Sequence, residues 1–389
     1  MPIANHGCVP VIGHSVDDNI VFSSSSLTKL DLFSDRHYWI VEFDHASAID
    51  NLEKFISKDI ISAIRSGELT LLLTNTYEGE YSAIESIYKK VITEWAIPEQ
   101  NVVMVSEGAD INVKVSEFAT AIGRQPIESW WSRIFEYQAG MQAVWKRSDQ
   151  IPATLLFKNY NKKFLCFNRA PRPHRTGLIA LLQIKQLLDQ GYVSTSNLAW
   201  ADCYHKLMVE RPELENDKMG ELLRLHNAQN FDIKQQILDI ELDEKIAQPE
   251  IYHTQNLKTD EFYKNTYFSV VTETRSSNGQ CRVLSEKTFK PIANNHPFIL
   301  VTVPHVLKLL QELGYQTFDG IIDESYDSEP NDSTRLLMIV DEIQRLSNLN
   351  DDQLFVFLEK AREICKHNYN HLLSLKNSSS FMTKTNRIF

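Results

Sequence analysis

The fold is decided by short apolar runs that alternate with helical patterns, beginning with the stretch YWIVEF at residues 38–43. A helical pattern from Ile49 to Arg65 follows, then LTLLL at residues 69–73, a second helical pattern from Ser82 to Trp95, and VVMV at residues 102–105. Short apolar runs predict buried strands, and the amphipathic stretches between them predict helices. Strands that alternate with helices are typical of a parallel sheet covered on both faces. The first part of the chain is therefore predicted to be an α/β domain.

A second alternation of the same kind begins with KFLCF at residues 163–167 and runs into a helical pattern from Thr176 to Gln190. Further strands are predicted at residues 267–271 and 297–301, and helices at 286–294, 304–313, 333–347 and 351–375. The predicted fold class is thus α/β, with two Rossmann-like domains that face a cleft. We expect an N-terminal domain at residues 1–155, a C-terminal domain at 156–350, and a helix and tail at 351–389 that cross back or close the second domain. The polar stretch 210–257 is expected to be an insertion or peripheral helices.

Composition excludes several classes of protein. With 389 residues, 43% of them hydrophobic, the chain is long enough for two domains with sizeable cores. The formal net charge of -11 argues against a surface that coats a nucleic acid. The five scattered cysteines have no C-x-x-C spacing and indicate free thiols in a reducing compartment. Because no apolar stretch reaches the ~18 residues of a membrane span and no secretory pattern opens the chain, we expect a cytoplasmic protein, in the host cytoplasm if it is viral.

A basic turn follows the predicted strand at residues 163–167. Its sequence, NRAPRPHR at residues 168–175, places Arg169, Arg172 and Arg175 between the strand and a helix. Open α/β sheets bind ligands at the carboxyl ends of their strands, and a helix N-terminus adds oriented N–H groups that favour phosphate. Guanidinium groups bind phosphate through two parallel hydrogen bonds. The turn is therefore a candidate diphosphate-binding site, with a solvated basic turn as the alternative.

A second polar segment, SEKTFK at residues 285–290, opens another predicted helix after the strand that ends near Glu273. Ser285 is a predicted N-cap, which places Glu286 and Lys287 in the first helical turn at the ligand-binding edge. A carboxylate there can accept hydrogen bonds from two ribose hydroxyls, while the ammonium group contacts phosphate. A surface ion pair is the alternative interpretation.

The order of these motifs resembles the donor-binding half of glycosyltransferases with the GT-B fold, over residues 163–303. The pattern is similar to that of the α1,3-fucosyltransferase family, which has Phe-x-Phe-Glu-Asn, then Thr-Glu-Lys, then a hydrophobic Pro-Val-Val strand. The corresponding positions here read Thr272-Glu273-Thr274, Ser285-Glu286-Lys287 and Pro297-Phe298-Ile299. Because these triplets depart from the family's own, guanosine diphosphate-fucose is one candidate donor among the nucleotide sugars.

The resemblance implies roles for the matching residues. Arg175, Glu286 and Lys287 are expected to hold the phosphates and ribose of the donor, and Glu273 is counted with them. Arg169 and Arg172 are alternatives for the arginine. The arginines, Lys287 and a helix N-terminus would stabilise the charge on the departing diphosphate, so we expect neither a metal ion nor another cofactor.

An inverting transferase of this fold needs a general base beside the acceptor hydroxyl, and that base normally comes from the N-terminal domain. Glu78 and Glu80 lie in the loop after the strand at residues 69–73, and Asp44 follows the first strand. These three carboxylates are the candidate catalytic bases, and the sequence does not choose between them. Trp130 and Trp131 form either an acceptor platform or part of the core.

The resemblance therefore implies a metal-independent glycosyltransferase that moves a sugar from a nucleoside-diphosphate sugar to a hydroxyl group of a glycan or small molecule. One alternative is a phage-type DNA-base glycosyltransferase, although the net charge of -11 gives no general attraction to DNA and this acceptor is not favoured. A second alternative is a non-catalytic nucleotide-binding scaffold protein that kept the fold and lost the chemistry. A kinase is disfavoured because the sequence has no Gly-x-x-x-x-Gly-Lys loop.

Overall fold

The computed structural model of the protein describes residues 38–43, 46–54, 56–75, 81–133, 162–168, 172–194 and 260–375. It also describes short stretches at residues 14–15, 20–21, 135–136, 139–140, 160, 209, 212, 220–221, 224 and 382–383. The chain separates into two compact units. Unit 1 contains Met1–Ile134, Gln280–Val283 and Asn377–Phe389, and unit 2 contains Phe135–Gly279 and Leu284–Lys376. The boundary expected near residue 155 and most of the polar stretch 210–257 lie outside the described residues.

Unit 1 is built around a sheet whose central strands are parallel. Its strands Tyr38–Phe43 (β3), Thr70–Asn75 (β4), Val102–Ser106 (β5) and Glu128–Ser132 (β6) lie side by side in chain order. Short antiparallel strands extend the sheet at its edges: His14–Ser15 (β1) and Ile20–Val21 (β2) on the side of β3, and Met382–Thr383 (β11) beside β6. Strands β4 and β5 are buried along their whole length, as expected for parallel strands covered on both faces.

The described helices of unit 1 are Ala46–Ile49 (α1), Lys58–Ser66 (α2), Ser82–Ile87 (α3), which continues as a π-helix over Tyr88–Glu94, and Ile111–Ala121 (α4). The prediction of one continuous helix from Ile49 to Arg65 is wrong. A 3₁₀ turn at Leu52–Lys54 interrupts it, and the Ser57 side chain accepts a hydrogen bond from the Ile60 amide at 3.4 Å, so that α2 starts afresh. Gly67, in the left-handed conformation with φ of 86°, then ends α2.

Unit 2 contains a second sheet, whose described strands are all parallel. They are Phe164–Cys166 (β7), Gly191–Val193 (β8), Phe268–Thr272 (β9) and Phe298–Val301 (β10), in the spatial order β10-β9-β7-β8. The chain runs from β7 to β8 on one side and then crosses to β9 on the other side. The sheet therefore has a topological switch point between β7 and β9. The α/β prediction is confirmed, since both units pair helices with parallel strands.

The described helices of unit 2 are Pro173–Ile184 (α5), Asp260–Lys264 (α6), Glu286–Ala293 (α7), Val306–Glu312 (α8), Asp332–Ser347 (α9) and Asp351–Ser374 (α10). Helix α5 is buried over most of its length and packs against α9, while α10 packs against α7. Asn350 and Gln353 form a reciprocal capping box that fixes the start of α10. Among the described helices, none combines the length and the apolar content that a membrane crossing requires.

Candidate functional site

Polar side chains tie the carboxyl ends of three unit 2 strands together. The hydroxyl of Thr272, the last residue of β9, donates to Oδ1 of Asn168 at 2.7 Å, just after β7. The Nδ2 of Asn168 donates to the carbonyl of Ser194, beside the end of β8, at 3.2 Å. All three residues are buried. The switch point between β7 and β9 is thus held rigidly at the end where open α/β sheets bind ligands.

Arg175 lies at this switch point, in the first turn of α5. Only 4% of it is exposed, and its Nη2 donates to the backbone carbonyls of Thr272 and Glu273, each at 3.2 Å. Burial and then the charge of Arg172 lower the pKa of Arg175 to about 10. The guanidinium group therefore keeps its charge at neutral pH, and it joins the start of α5 to the end of β9.

Arg172 makes the N-terminus of α5 more positive, whereas His174 links the helix to the end of β9. Arg172 is the N-cap residue and makes no side-chain cap hydrogen bond, and the first turn contains no acidic residue. The Nε2 of His174 lies 2.9 Å from the carbonyl of Glu273. Because a carbonyl only accepts, this nitrogen carries the proton. Burial, followed by the charges of Arg175, Arg172 and Arg335, lowers the pKa of His174 to about 3, so the imidazole is neutral at physiological pH.

Glu273 is fully engaged in hydrogen bonds within the protein. It is 1% exposed, and its Oε1 accepts from the Ser285 amide at 3.0 Å and from the Thr288 hydroxyl at 2.5 Å. Its Oε2 accepts from the Ser285 hydroxyl at 2.6 Å and from the Thr274 amide at 3.3 Å. The carboxylate therefore joins the end of β9 to the start of α7. Because both carboxylate oxygens already accept hydrogen bonds from the protein, the arrangement favours a positioning role for Glu273 over direct contact with a ligand.

Glu286 and Lys287 stand in the first turn of α7, with Ser285 as the N-cap residue. Their side chains form an ion pair, in which Lys287 Nζ lies 2.9 Å from Glu286 Oε1. Burial acts to raise the pKa of the Glu286 carboxyl, but the charges of Lys287 and Lys290 outweigh it and the pKa is lowered. The charge of Glu286 in turn acts on Arg175. The structure thus brings Arg172, Arg175, Glu286 and Lys287 to one edge of the sheet, where Glu273 links the end of β9 to the start of α7.

Arg335 is a buried residue of this region that belongs to no recognisable sequence motif. It is 2% exposed and donates to the carbonyls of Thr302, at 3.0 Å, and Glu329, at 2.8 Å. It also donates to the carbonyl of Ser276, in the loop between Glu273 and Ser285. The guanidinium group therefore anchors that loop to the end of β10. A single arginine in an amphipathic helix gives no sequence signal of this role.

Four of the predicted site residues lie outside the described residues: Asp44, Glu78, Glu80 and Arg169. The strand ends that precede the three carboxylates are described, at Phe43 for Asp44 and at Asn75 for the two glutamates. The role of each of the four stays a prediction.

Comparison with known proteins gives only distant similarities. No protein-family model and no curated protein sequence matches the chain. Among solved structures, it is similar to the N-terminal domain of the Candida albicans trehalose-6-phosphate phosphatase, with 10% identity, a TM-score of 0.41, and coverage of 85% of this chain and 73% of that one. It is also similar to a UDP-forming α,α-trehalose-phosphate synthase from Burkholderia vietnamiensis, with 9% identity, a TM-score of 0.39, and coverage of 85% and 73%. Similarities this distant decide neither fold nor function, which therefore rest on the geometry above.

Proposed function

We propose that the protein is a glycosyltransferase that binds a nucleoside-diphosphate sugar at the carboxyl edge of the unit 2 sheet. One observation carries the proposal: the positive N-terminus of α5, with Arg172 and Arg175, coincides with the switch point between β7 and β9. Crevices at such switch points are where open α/β sheets bind nucleotides. The motif resemblance to GT-B glycosyltransferases points to the same residues.

The diphosphate is assigned to the start of α5. A helix N-terminus presents oriented N–H groups and the positive end of the helix dipole, and α5 has no acidic residue in its first turn to compete with a ligand. Arg175, which is 4% exposed, adds a positive charge in surroundings shielded from water, where charge interactions are strong, and the partly exposed Arg172 adds a second one. These groups would also stabilise the charge that develops on the departing nucleoside diphosphate.

Glu286 and Lys287 are assigned to the rest of the donor. Glu286 is 8% exposed, and the lowered pKa of its carboxyl keeps the group ionised, so it can accept hydrogen bonds from ribose hydroxyls. The side chain of Lys287 is 31% exposed. Its ammonium group can therefore leave the ion pair with Glu286 and bind a phosphate oxygen instead. Glu273 and Arg335 would act indirectly, by holding the loop between β9 and α7.

The remaining parts of the function are inferred from the sequence. The acceptor is a hydroxyl group on a glycan or a small molecule, and Glu78, Glu80 and Asp44 are the candidate bases. The α1,3-fucosyltransferase likeness, metal independence and the nature of the sugar stay predictions. A hydroxylated DNA base remains the less favoured acceptor, and a nucleotide-binding scaffold without catalysis remains the alternative function.

Release of nucleoside diphosphate from a panel of UDP-, GDP-, ADP- and dTDP-sugars tests the proposal. We expect one donor class to be consumed, and Lys287→Gln to slow this reaction by about 100-fold, the usual loss for one group that stabilises transition-state charge. Lys264→Gln, at an exposed lysine at the end of α6, is the matched control and should leave the rate unchanged. Binding of a nucleotide without consumption of any donor would favour the scaffold, and the absence of both would refute the proposal.

A further inference from the structure

The loop between β9 and α7, residues 274–284, joins two parts of the candidate donor site. Glu273 precedes the loop, and Glu286 follows it in the first turn of α7. The amide of Asn278, in the first half of the loop, donates to the carboxylate of Asp332 at 2.8 Å. This half of the loop is therefore fixed to the start of α9.

Most of the second half of the loop belongs to unit 1. The chain leaves unit 2 after Gly279, contributes Gln280–Val283 to unit 1, and returns to unit 2 at Leu284. Within this segment Cys281 and Val283 are each 3% exposed, so both side chains are buried. Four residues of a loop that starts and ends in unit 2 are thus part of the packing of unit 1.

Arg282 fastens this segment to Asp110, the residue that precedes α4. Its Nε donates to Oδ2 of Asp110 at 2.8 Å, and its Nη2 donates to Oδ1 at 2.5 Å. The carbonyl of Arg282 also accepts from the Ala109 amide at 2.9 Å. Asp110 is the N-cap residue of α4, but within the described chain its carboxylate bonds to Arg282 and not to the amides of its own helix. The side chains of Arg282 and Asp110 are 24% and 27% exposed, so this bidentate pair is stronger than a fully exposed one.

We infer that Asp110 is a positioning residue for the donor site, and that it acts through Arg282. The inference rests on the proposed function, because it assigns Asp110 to the site that binds the nucleoside diphosphate. Ser285 lies three residues after Arg282, a length of chain that spans at most about 11 Å when fully extended. The hydroxyl of Ser285 donates to Glu273 at 2.6 Å, and Glu286 is the next residue. A displacement of Arg282 is therefore transmitted to the start of α7, where groups that bind a ligand must be held to within about 0.5 Å.

The first test measures hydrogen exchange in the full-length protein and needs no ligand. Asp110→Asn and Arg282→Gln each remove the ion pair while leaving a polar side chain of similar length. We expect both variants to accelerate amide exchange in residues 277–288 by about three- to tenfold, the effect of losing one partly shielded ion pair. Glu117→Gln, which breaks the Lys114–Glu117 ion pair at 2.9 Å on α4, is the matched control and should leave exchange in this segment unchanged.

Exchange in strand β4 serves as the internal reference for the folding of unit 1. We expect it to be the same in the wild type and in all three variants. Unchanged exchange in residues 277–288 of Asp110→Asn would overturn the inference. An acceleration of equal size in β4 would also overturn it, because the ion pair would then contribute to the overall stability of unit 1 and not to the position of the loop.

The second test is calorimetric titration of UDP, GDP, ADP and dTDP into the wild type, Asp110→Asn, Arg282→Gln and the double variant. For a nucleotide that binds the wild type, we expect each single substitution to weaken binding by about three- to tenfold. The double variant should lose no more than either single variant, because both substitutions remove the same interaction. Unchanged affinity in the single variants, or losses that multiply in the double variant, would overturn the inference and leave the proposed function intact. If none of the four nucleotides binds the wild type, the proposed function is refuted, and the exchange data alone decide whether Asp110 anchors the loop.

Discussion

The position of Glu273 leads to a quantitative prediction for Glu273→Gln. Each carboxylate oxygen of Glu273 accepts one backbone amide, from Ser285 at 3.0 Å and from Thr274 at 3.3 Å. A glutamine has one oxygen and one NH₂ group, so one of these amides must face a donor. Hydroxyl groups can rotate to adapt, but backbone N–H groups cannot. Either orientation of the new side chain therefore leaves one buried donor without an acceptor.

The expected cost is the loss of about one charge-assisted hydrogen bond together with the desolvation of its donor, about 3 kcal/mol in total. For a domain of about 150–250 residues, each kcal/mol lowers the melting temperature by about 2–4 °C. Glu273→Gln should thus melt about 6–12 °C below the wild type in a thermal scan followed by tryptophan fluorescence. Glu312→Gln, at an exposed carboxylate at the end of α8, is the control and should change stability by less than about 0.5 kcal/mol. A Glu273→Gln protein that melts with the control would refute the structural role of this carboxylate.

Three further predictions test the fold around the site. A Cβ atom at Gly191 would overlap the ring of Phe164 on the neighbouring strand, so Gly191→Ala should lower the free energy of unfolding in urea by about 1–3 kcal/mol; an unchanged urea midpoint would contradict the β7–β8 pairing. Arg335→Gln should lower the free energy of unfolding by about 3–5 kcal/mol, because it breaks a buried guanidinium network. Arg335→Lys should not restore stability, since an ammonium group cannot reach the same carbonyls. Burial lowers the pKa of His296 to about 4 in the folded protein, against about 6.5 when unfolded, so its contribution to stability is complete above pH 6.5 and decreases as the pH falls towards 4. The unfolding free energy should fall in this window by up to about 1.4 kcal/mol per pH unit for this residue, and His296→Gln should flatten the slope by that amount.

Much of the secondary structure could be predicted from the sequence because the apolar pattern dominates it. The continuous apolar runs at Leu71–Leu73 and Val102–Val105 lie in buried strands, and the helical pattern at residues 286–294 corresponds to α7. The pattern failed where local chemistry outweighs periodicity. Ser57 restarts a helix inside an amphipathic stretch, and Glu128–Ser132, with its two tryptophans, forms a strand that was not predicted.

The candidate site was only partly predictable. A linear motif identifies the place of three site residues, because each lies in the first turn of a helix that follows a strand: Arg175, Glu286 and Lys287. The saturated hydrogen bonding of Glu273 depends on Ser285 and Thr288, which its own chain neighbours do not reveal. The anchoring role of Arg335 depends on carbonyl groups, which every residue has, and therefore leaves no trace in the sequence.

Calorimetric titration of UDP, GDP, ADP and dTDP into the wild type and Arg172→Gln, with the corresponding nucleosides as reference ligands, tests the central claim most directly. The account predicts that one nucleoside diphosphate binds and that its nucleoside binds more weakly. Arg172→Gln should weaken binding of the diphosphate by about tenfold without changing the affinity for the nucleoside. Such a pattern would assign the phosphates to the start of α5. If none of the four diphosphates binds at millimolar concentration, or if the diphosphate binds no better than its nucleoside and Arg172→Gln has no effect, the switch point of unit 2 is not a nucleotide site and the account is wrong.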